Sequence, residues 1–164
     1  MVTDAERVYL QRCIELAREA MEAGDDPFGS VLVSADGRIL AEDRNRTETM
    51  NDPTRHPEFE LARWAAANLP LHERRSATVY TSGEHCPMCA AAHALVGLGR
   101  VVYIASAEQF RNWLDELGIR SARLRLLPIQ QIAPGVTVEG PVPDLAEQVR
   151  ELHRRYYGER RPRD

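Results

Sequence analysis

Thr81-Ser82-Gly83-Glu84-His85-Cys86-Pro87-Met88-Cys89-Ala90-Ala91-Ala92-His93 sets two cysteines three residues apart, with a proline directly after the first. Proline opens helices well, because at the first helical position the backbone N–H has no partner to lose. The spacing predicts a helix from Pro87, with Cys86 at its mouth and Cys89 one turn in on the same face. Unpaired N–H groups and the helix dipole at that end favour thiolate over thiol. Two thiolates on one face are half of a zinc site. Upstream, His56-Pro57-Glu58 repeats the device, with His56 just outside a helix that opens at Pro57 and Glu58 just inside it. If the two helix mouths face each other, His56, Cys86 and Cys89 supply three ligands. The fourth tetrahedral position is then left to water, the arrangement of a catalytic rather than a structural zinc. Glu58, two residues from His56, is placed to approach that water without binding the metal.

Each half alone is weak. A lone C-x-x-C in a cytosolic chain can be a redox pair or chance, and H-x-E is common. Together, in this order and each at a helix start, they are far more specific. His93 follows Cys89 by four residues on the same helical face, so a fourth protein ligand and a structural site is the competing arrangement. We expect His93 instead to be a satisfied histidine of the packing layer, and His72 and His153 to lie at the surface.

Composition narrows the class. The chain has 164 residues, 43% hydrophobic and 28% charged, as ordinary soluble globular proteins do. We expect one domain over residues 1–157 and a flexible polar tail over 158–164. The net charge of −4 gives no global basic field for nucleic acid or an anionic membrane. All 21 basic residues are arginine. The absence of lysine excludes a Schiff-base lysine, a P-loop lysine and any lysine general base. The third cysteine, Cys13, falls on the apolar side of the first helix and reads as core. An odd cysteine count argues against a secreted disulfide scaffold. Asp4 and Glu6 stand where a signal peptide carries positive charge, and no apolar run approaches ~18 residues. The expected location is cytoplasmic, with no membrane contact.

Along the chain, Thr3-Asp4-Ala5-Glu6 reads as a capping box for an amphipathic helix that stops at Gly24. Ser30–Ser34 and Arg38–Asp43 form a hairpin across Ala35-Asp36-Gly37. Arg44–His56 is a polar loop ending on the candidate ligand. Pro57–Asn68 is a helix, Ala77–Ser82 a strand, and the helix after Pro87 ends near Gly97 or Gly99. Val101–Ala105 is a strand and Ala107–Leu117 a helix. Leu124–Ile132 is read as a further strand interrupted by Pro128. Asp144 caps a last helix with Leu145, Val149, Leu152 and Tyr156 on one face. This order predicts an α/β layered domain on one sheet, with a natural parallel crossover.

The joint motif, His56-x-Glu58 with Cys86-x-x-Cys89, resembles the cytidine deaminase-like superfamily. With Pro27-Phe28-Gly29, Asn45 and Asn51-Asp52-Pro53-Thr54 it looks like the branch of bacterial guanine deaminases and tRNA adenosine deaminases, over roughly residues 5–105. Cys86-Pro87-Met88-Cys89 looks closer to the guanine deaminases. The resemblance implies a three-layer α/β/α sandwich around a central five-stranded mixed sheet, assembled as a homodimer. It implies one zinc on His56, Cys86 and Cys89, Glu58 as proton shuttle, Asn45 hydrogen-bonding the base and Phe28 packing on its ring. The implied reaction is hydrolytic deamination: an exocyclic amine of a nucleobase, nucleoside or related amino-heterocycle becomes a carbonyl. Guanine and other purines come first, with cytosine-like pyrimidines and amino-triazines open.

Two residues depart from the family. Pro57 replaces a small residue between the histidine and glutamate, and its lack of an N–H removes any base contact by that amide. His85 stands where relatives have proline; tuning of the site, substrate contact and space-filling all remain open. Both bear on substrate choice, and Glu84, beside His85, is carried with them as a substrate-side candidate. Asp115 and Glu116 fall near an acidic residue that guanine deaminases use to read ring N–H groups; an ordinary solvated helix face is the alternative. Trp113 lines a pocket or packs in the core. Asn45 has a loop-turn alternative and Phe28 a plain core one. Tyr156 and Tyr157 are candidates for a lid over this chain's own site or a neighbouring subunit's. Two other functions stand beside the first. One is tRNA adenosine deamination, with Arg150, Arg154, Arg155, Arg160, Arg161 and Arg163 on phosphate, which the acidic balance disfavours. The other is a non-catalytic zinc module closed by His93 or His85.

Overall fold

The computed structural model describes residues 2–119 and 124–159. Its elements are α1 (Asp4–Ala23), β1 (Gly29–Val33), β2 (Ile39–Arg44), α2 (Pro57–Asn68), α3 (Leu71–Ser76) and β3 (Thr78–Gly83), followed by α4 (Pro87–Val96), β4 (Arg100–Ala105), α5 (Ala107–Glu116), α6 (Ile129–Ile132), β5 (Val138–Glu139) and α7 (Pro143–Gly158). The strands form one five-stranded sheet in the order β2-β1-β3-β4-β5. β1 pairs antiparallel with β2 and with β3, while β3–β4 and β4–β5 are parallel. The sheet is therefore mixed and helices cover both faces, as expected.

Strand alternation assigns the two faces. Val31, Val33, Tyr80, Val102 and Ile104 point to one side, where α1 and α7 bury Leu10, Ile14, Val149 and Leu152 against them. Leu32, Val79, Val101 and Tyr103 point to the other, under α2, α4 and α6. A period of two along each strand and apolar stripes at helical spacing produce this directly. α1 approaches β1 so closely that a Cβ on Gly29 would stand 2.4 Å from the Leu16 Cβ and 2.6 Å from the Cys13 carbonyl. Cys13 is fully buried in that core.

The structure departs from the sequence reading in several places, and α3 has no counterpart in it. Residues 124–128 form no strand, and 129–132 are a helical turn. Pro128 has no N–H to give a ladder, and the Ile129 N–H goes instead to the Glu84 carboxylate. A short apolar run serves a strand or a buried helical turn equally, so periodicity misleads here. The fifth strand is Val138–Glu139, two residues long and below the length at which alternation is visible. The last helix opens at Pro143 with Val142 at its N-cap, so Asp144 lies inside the first turn, where it pairs with Arg7. The predicted tail falls largely outside the described residues, as do Arg160, Arg161 and Arg163. Among the described residues no helix is long and apolar enough to cross a membrane.

His153 is the clearest correction to the surface reading. It is 2% exposed, among the rings of Phe28, Phe110, Trp113 and Tyr157. Its place in the series Val149, Leu152, His153, Tyr156 carried the helical apolar signal. Burial lowers its pKa to about 3. Between an unfolded value of about 6.5 and that lower value, the unfolded chain takes a proton that the folded chain refuses. Stability therefore falls with pH over this window, by up to about 1.4 kcal/mol per pH unit from this group. His85 and His93, also lowered by burial, keep their own contributions in any His153 variant. Thermal unfolding of His153→Phe between pH 6.5 and 4 is expected to show a shallower acid slope than the unaltered chain; identical slopes would contradict the assignment.

Candidate active site

Two helix mouths meet on the α2/α4 side of the sheet. His56 is the N-cap of α2 and Cys86 the N-cap of α4, with Pro57 and Pro87 opening the helices. Neither N-cap side chain bonds its own helix, so both are available to the site. The Nδ1 of His56 lies 3.6 Å from each sulfur, and the sulfurs are 3.4 Å apart. Tetrahedral zinc with ordinary bond lengths needs N···S and S···S edges of about 3.6 and 3.8 Å. The donor set, one imidazole and two thiols, and its spacing therefore fit zinc. Among the described residues the cluster of metal-capable side chains comprises these three alone.

The electrostatics agree. Hydrogen bonding from Cys89, with the nearby His56 ring, lowers the Cys86 thiol to about 4. Cys89 is pushed well above its ordinary value by Cys86 and by burial. One thiolate forms easily and the second is resisted, so a divalent cation would stabilise the pair and release a proton. Burial opposes charge on His56, but Cys86 and Glu58 outweigh it and raise its pKa.

Glu58, in the first turn of α2, is 5% exposed, and burial raises its pKa. Its Oε2 is 3.8 Å from the Cys89 sulfur. Its Oε1 is 2.9 Å from Thr81 Oγ1, which receives a bond from Ser30 Oγ at 2.9 Å and lies 3.0 Å from the Gly83 carbonyl. Thr81 has one proton and two acceptors, so it can serve Glu58 or Gly83 but not both at once.

His56, Glu58 and Cys86 line a cavity of about 210 Å³, with Asp26, Phe28, Asn45, Phe110 and Tyr157 among the other walls. Gly83, Ser106 and Ala107 place it just beyond the carboxyl ends of the parallel strands β3 and β4. That is where open α/β sheets hold ligands. Phe28 and Phe110 meet edge to face, 5.3 Å between centroids, and a Cβ on Gly83 would come within 2.9 Å of the Phe28 ring. Asn45 is 1% exposed; its Oδ1 accepts from the Thr47 N–H at 2.9 Å and lies 2.8 Å from Thr47 Oγ1. The loop-turn expectation thus holds for Oδ1, and Nδ2 is the amide group able to donate to a substrate. Asp25, fully buried, accepts from the Glu48 and Thr49 N–H groups and from Arg44, which pins the loop carrying Asn45.

The remaining sequence candidates lie as follows. Glu84 lines the cavity, but its two oxygens accept the Ala107 and Ile129 N–H groups, each at 2.8 Å, and so join the cysteine loop to α5 and α6. Pro57, His85, Trp113, Asp115 and Glu116 are not among the lining residues. Pro57 is buried in the first turn of α2. His85 is fully buried, edge-on to His93 with centroids 5.2 Å apart, which is the space-filling alternative. Trp113 packs on the α1/α7 core, and Glu116 pairs with Arg150 on an exposed helix face that also carries Asp115. His93 is fully buried and donates to the Gly99 carbonyl at 2.9 Å, which matches the packing expectation in position, but its buried Nδ1 has no hydrogen-bond partner among the described residues, so it is only half satisfied. Asp26, Phe110 and Thr81 are absent from the sequence candidates. Asp26 had one available signal, an acid directly before Pro27-Phe28-Gly29.

The chain is similar to known proteins. The MafB19-like deaminase family profile matches residues 4–137. Guanine deaminase from Bacillus subtilis is 44% identical over 82 residues, 49% of this chain and 52% of that protein. The match thus spans about half the length of that relative. A tRNA-specific adenosine deaminase from Agrobacterium fabrum is 36% identical over 117 residues, 71% of this chain and 75% of that one. The solved guanine deaminase from Nitrosomonas europaea superposes with a TM-score of 0.72 over 96% of this chain and 86% of its own, at 19% identity, which shows the shared fold.

Proposed function

The chain belongs to the MafB19-like deaminase family, and from that premise we propose that it is a zinc-dependent hydrolase that removes the exocyclic amine of a free nucleobase or similar amino-heterocycle, guanine first. One observation carries the reading: His56, Cys86 and Cys89 converge within 4.8 Å, and Glu58 lies beside them, in the wall of one small cavity. His56 Nδ1 and the two sulfurs would hold the metal. Zinc bound there supplies Lewis acidity that brings a water's pKa from 15.7 to about 7. Glu58 takes one proton from the attacking water and gives it to the ring nitrogen; it then takes the second from the hydroxyl now bonded to the ring carbon and gives it to the amine, which leaves as ammonia as the carbonyl forms. Thr81 suits this shuttle. Its proton steadies the Glu58 carboxylate, and when Glu58 is protonated Thr81 can turn to the Gly83 carbonyl and accept from the acid instead. Asn45 donates to the substrate, and Phe28 with Phe110 packs on its ring.

Cavity size supports a single heterocycle. About 210 Å³ lies below the 300–1,000 Å³ typical of drug-sized ligands. The Bacillus subtilis likeness supports guanine, and the Agrobacterium fabrum likeness keeps tRNA adenosine as the second reading. Ammonia release from guanine, cytosine, an amino-triazine, adenosine and a tRNA stem-loop separates them. Turnover of guanine without the stem-loop is expected; turnover of the stem-loop alone would reverse the order.

A further inference from the structure

Asp26 is a cavity-wall carboxylate that neither the metal cluster nor the shuttle uses. It ends the turn after α1, beside the buried Asp25 that pins the neighbouring loop. The Tyr157 hydroxyl, from α7, donates to its Oδ1 at 2.7 Å. Thr47 Oγ1 lies 3.2 Å from Oδ2 but also 2.8 Å from Asn45 Oδ1, and it has one proton to give. A carboxylate offers about four acceptor sites. Asp26 thus keeps at least two for a ligand, in a fixed orientation set by Tyr157. The rest of the wall sharpens the point. The Glu84 carboxylate is committed to the scaffold instead, its two bonds from the Ala107 and Ile129 N–H groups tying the cysteine loop to α5 and α6, and among the described lining residues none is arginine.

We propose that Asp26, oriented by Tyr157, is the substrate-reading acceptor of this cavity, and that it selects phosphate-free amino-heterocycles presenting adjacent N–H donors in addition to the amine that is lost. This rests on the deaminase reading and names its substrate class. A carboxylate welcomes paired N–H donors and repels phosphate, so a free base of the guanine or amino-triazine kind is accepted and a nucleotide is refused. Tyr157 comes from this chain's own last helix, so the reader is completed in cis.

The test uses the zinc-loaded full chain. Asp26→Asn keeps the shape of the side chain but replaces one acceptor oxygen with a donor. Hydrogen bonds to charged groups of this kind predict a loss of about 10- to 100-fold in kcat/KM on guanine, and a similar loss in 2,6-diaminopurine affinity by calorimetry. Zinc content should be unchanged. Tyr157→Phe keeps the carboxylate but frees its orientation, so KM should rise while kcat holds. Guanosine monophosphate should not turn over. If Asp26→Asn does not fold, Asp26→Ser carries the same expectation. Guanine efficiency within about twofold of the unaltered chain, or equal turnover of the monophosphate, overturns the assignment. An unaltered chain that releases ammonia from no heterocycle removes the deaminase reading and this one together. Normal activity unmoved by the Asp26 variants removes this one alone.

Discussion

Glu58→Ala is expected to retain zinc and fold while losing roughly 10²–10⁴-fold in kcat, the usual contribution of a positioned acid–base group. The argument is geometric. Glu58 is not one of the three converging metal-capable residues, so its removal leaves their donor set whole. It is nevertheless 3.8 Å from the Cys89 sulfur and 5% exposed, so bulk water does not readily replace it as a proton carrier. Burial raises its pKa, which suits a group that must hold a proton briefly and release it. Glu58→Gln keeps the shape and the Thr81 contact but not the proton chemistry, and should lose activity to a similar extent. Steady-state ammonia release with metal analysis on the same samples reads both quantities. An alanine variant within about tenfold of normal kcat would remove Glu58 from the chemistry.

Cys89→Ser should act on the metal instead. Cys89 is fully buried, with a 3.4 Å contact to Cys86 and a 3.6 Å contact to His56 Nδ1. A serine there places a poor zinc ligand in one of three corners. Zinc is then lost, and with it the stabilisation that binding to the folded state confers. That amounts to about 2.7 kcal/mol when free metal stands a hundredfold above its dissociation constant. Thermal unfolding with and without a chelator makes the comparison. The unaltered chain should lose stability on chelation, and Cys89→Ser should be low already and indifferent to it. Cys13→Ser is the control, since Cys13 is equally buried but lies in the α1 core away from the cluster. An unchanged zinc content in Cys89→Ser would contradict the ligand set.

Much of this was legible in the chain because the decisive signals are local. Proline at a helix opening fixes where His56 and Cys86 stand, and the i, i+3 spacing brings Cys89 to the same face. Strand alternation and the Thr3–Glu6 capping box likewise depend on neighbours in sequence. What escaped depends on contacts across long separations. Asp26 meets its partner at the cavity wall across the fold, Tyr157 being 131 positions away. Glu84 looked like a substrate group, yet the Ala107 and Ile129 N–H groups occupy it from 23 and 45 residues away. The turn at 129–132 is helical for the same reason, since a distant carboxylate receives its first N–H. His153 was the exception, for its local spacing already placed it on the buried face of α7.

The most direct measurement is zinc content and ammonia release from guanine on one purified preparation, before and after chelation and after zinc is restored. The account predicts one zinc per chain, and turnover that disappears with the metal and returns with it. A metal-free chain that releases ammonia at the same rate would contradict it, as would a tightly held zinc whose coordination is completed by a fourth protein side chain.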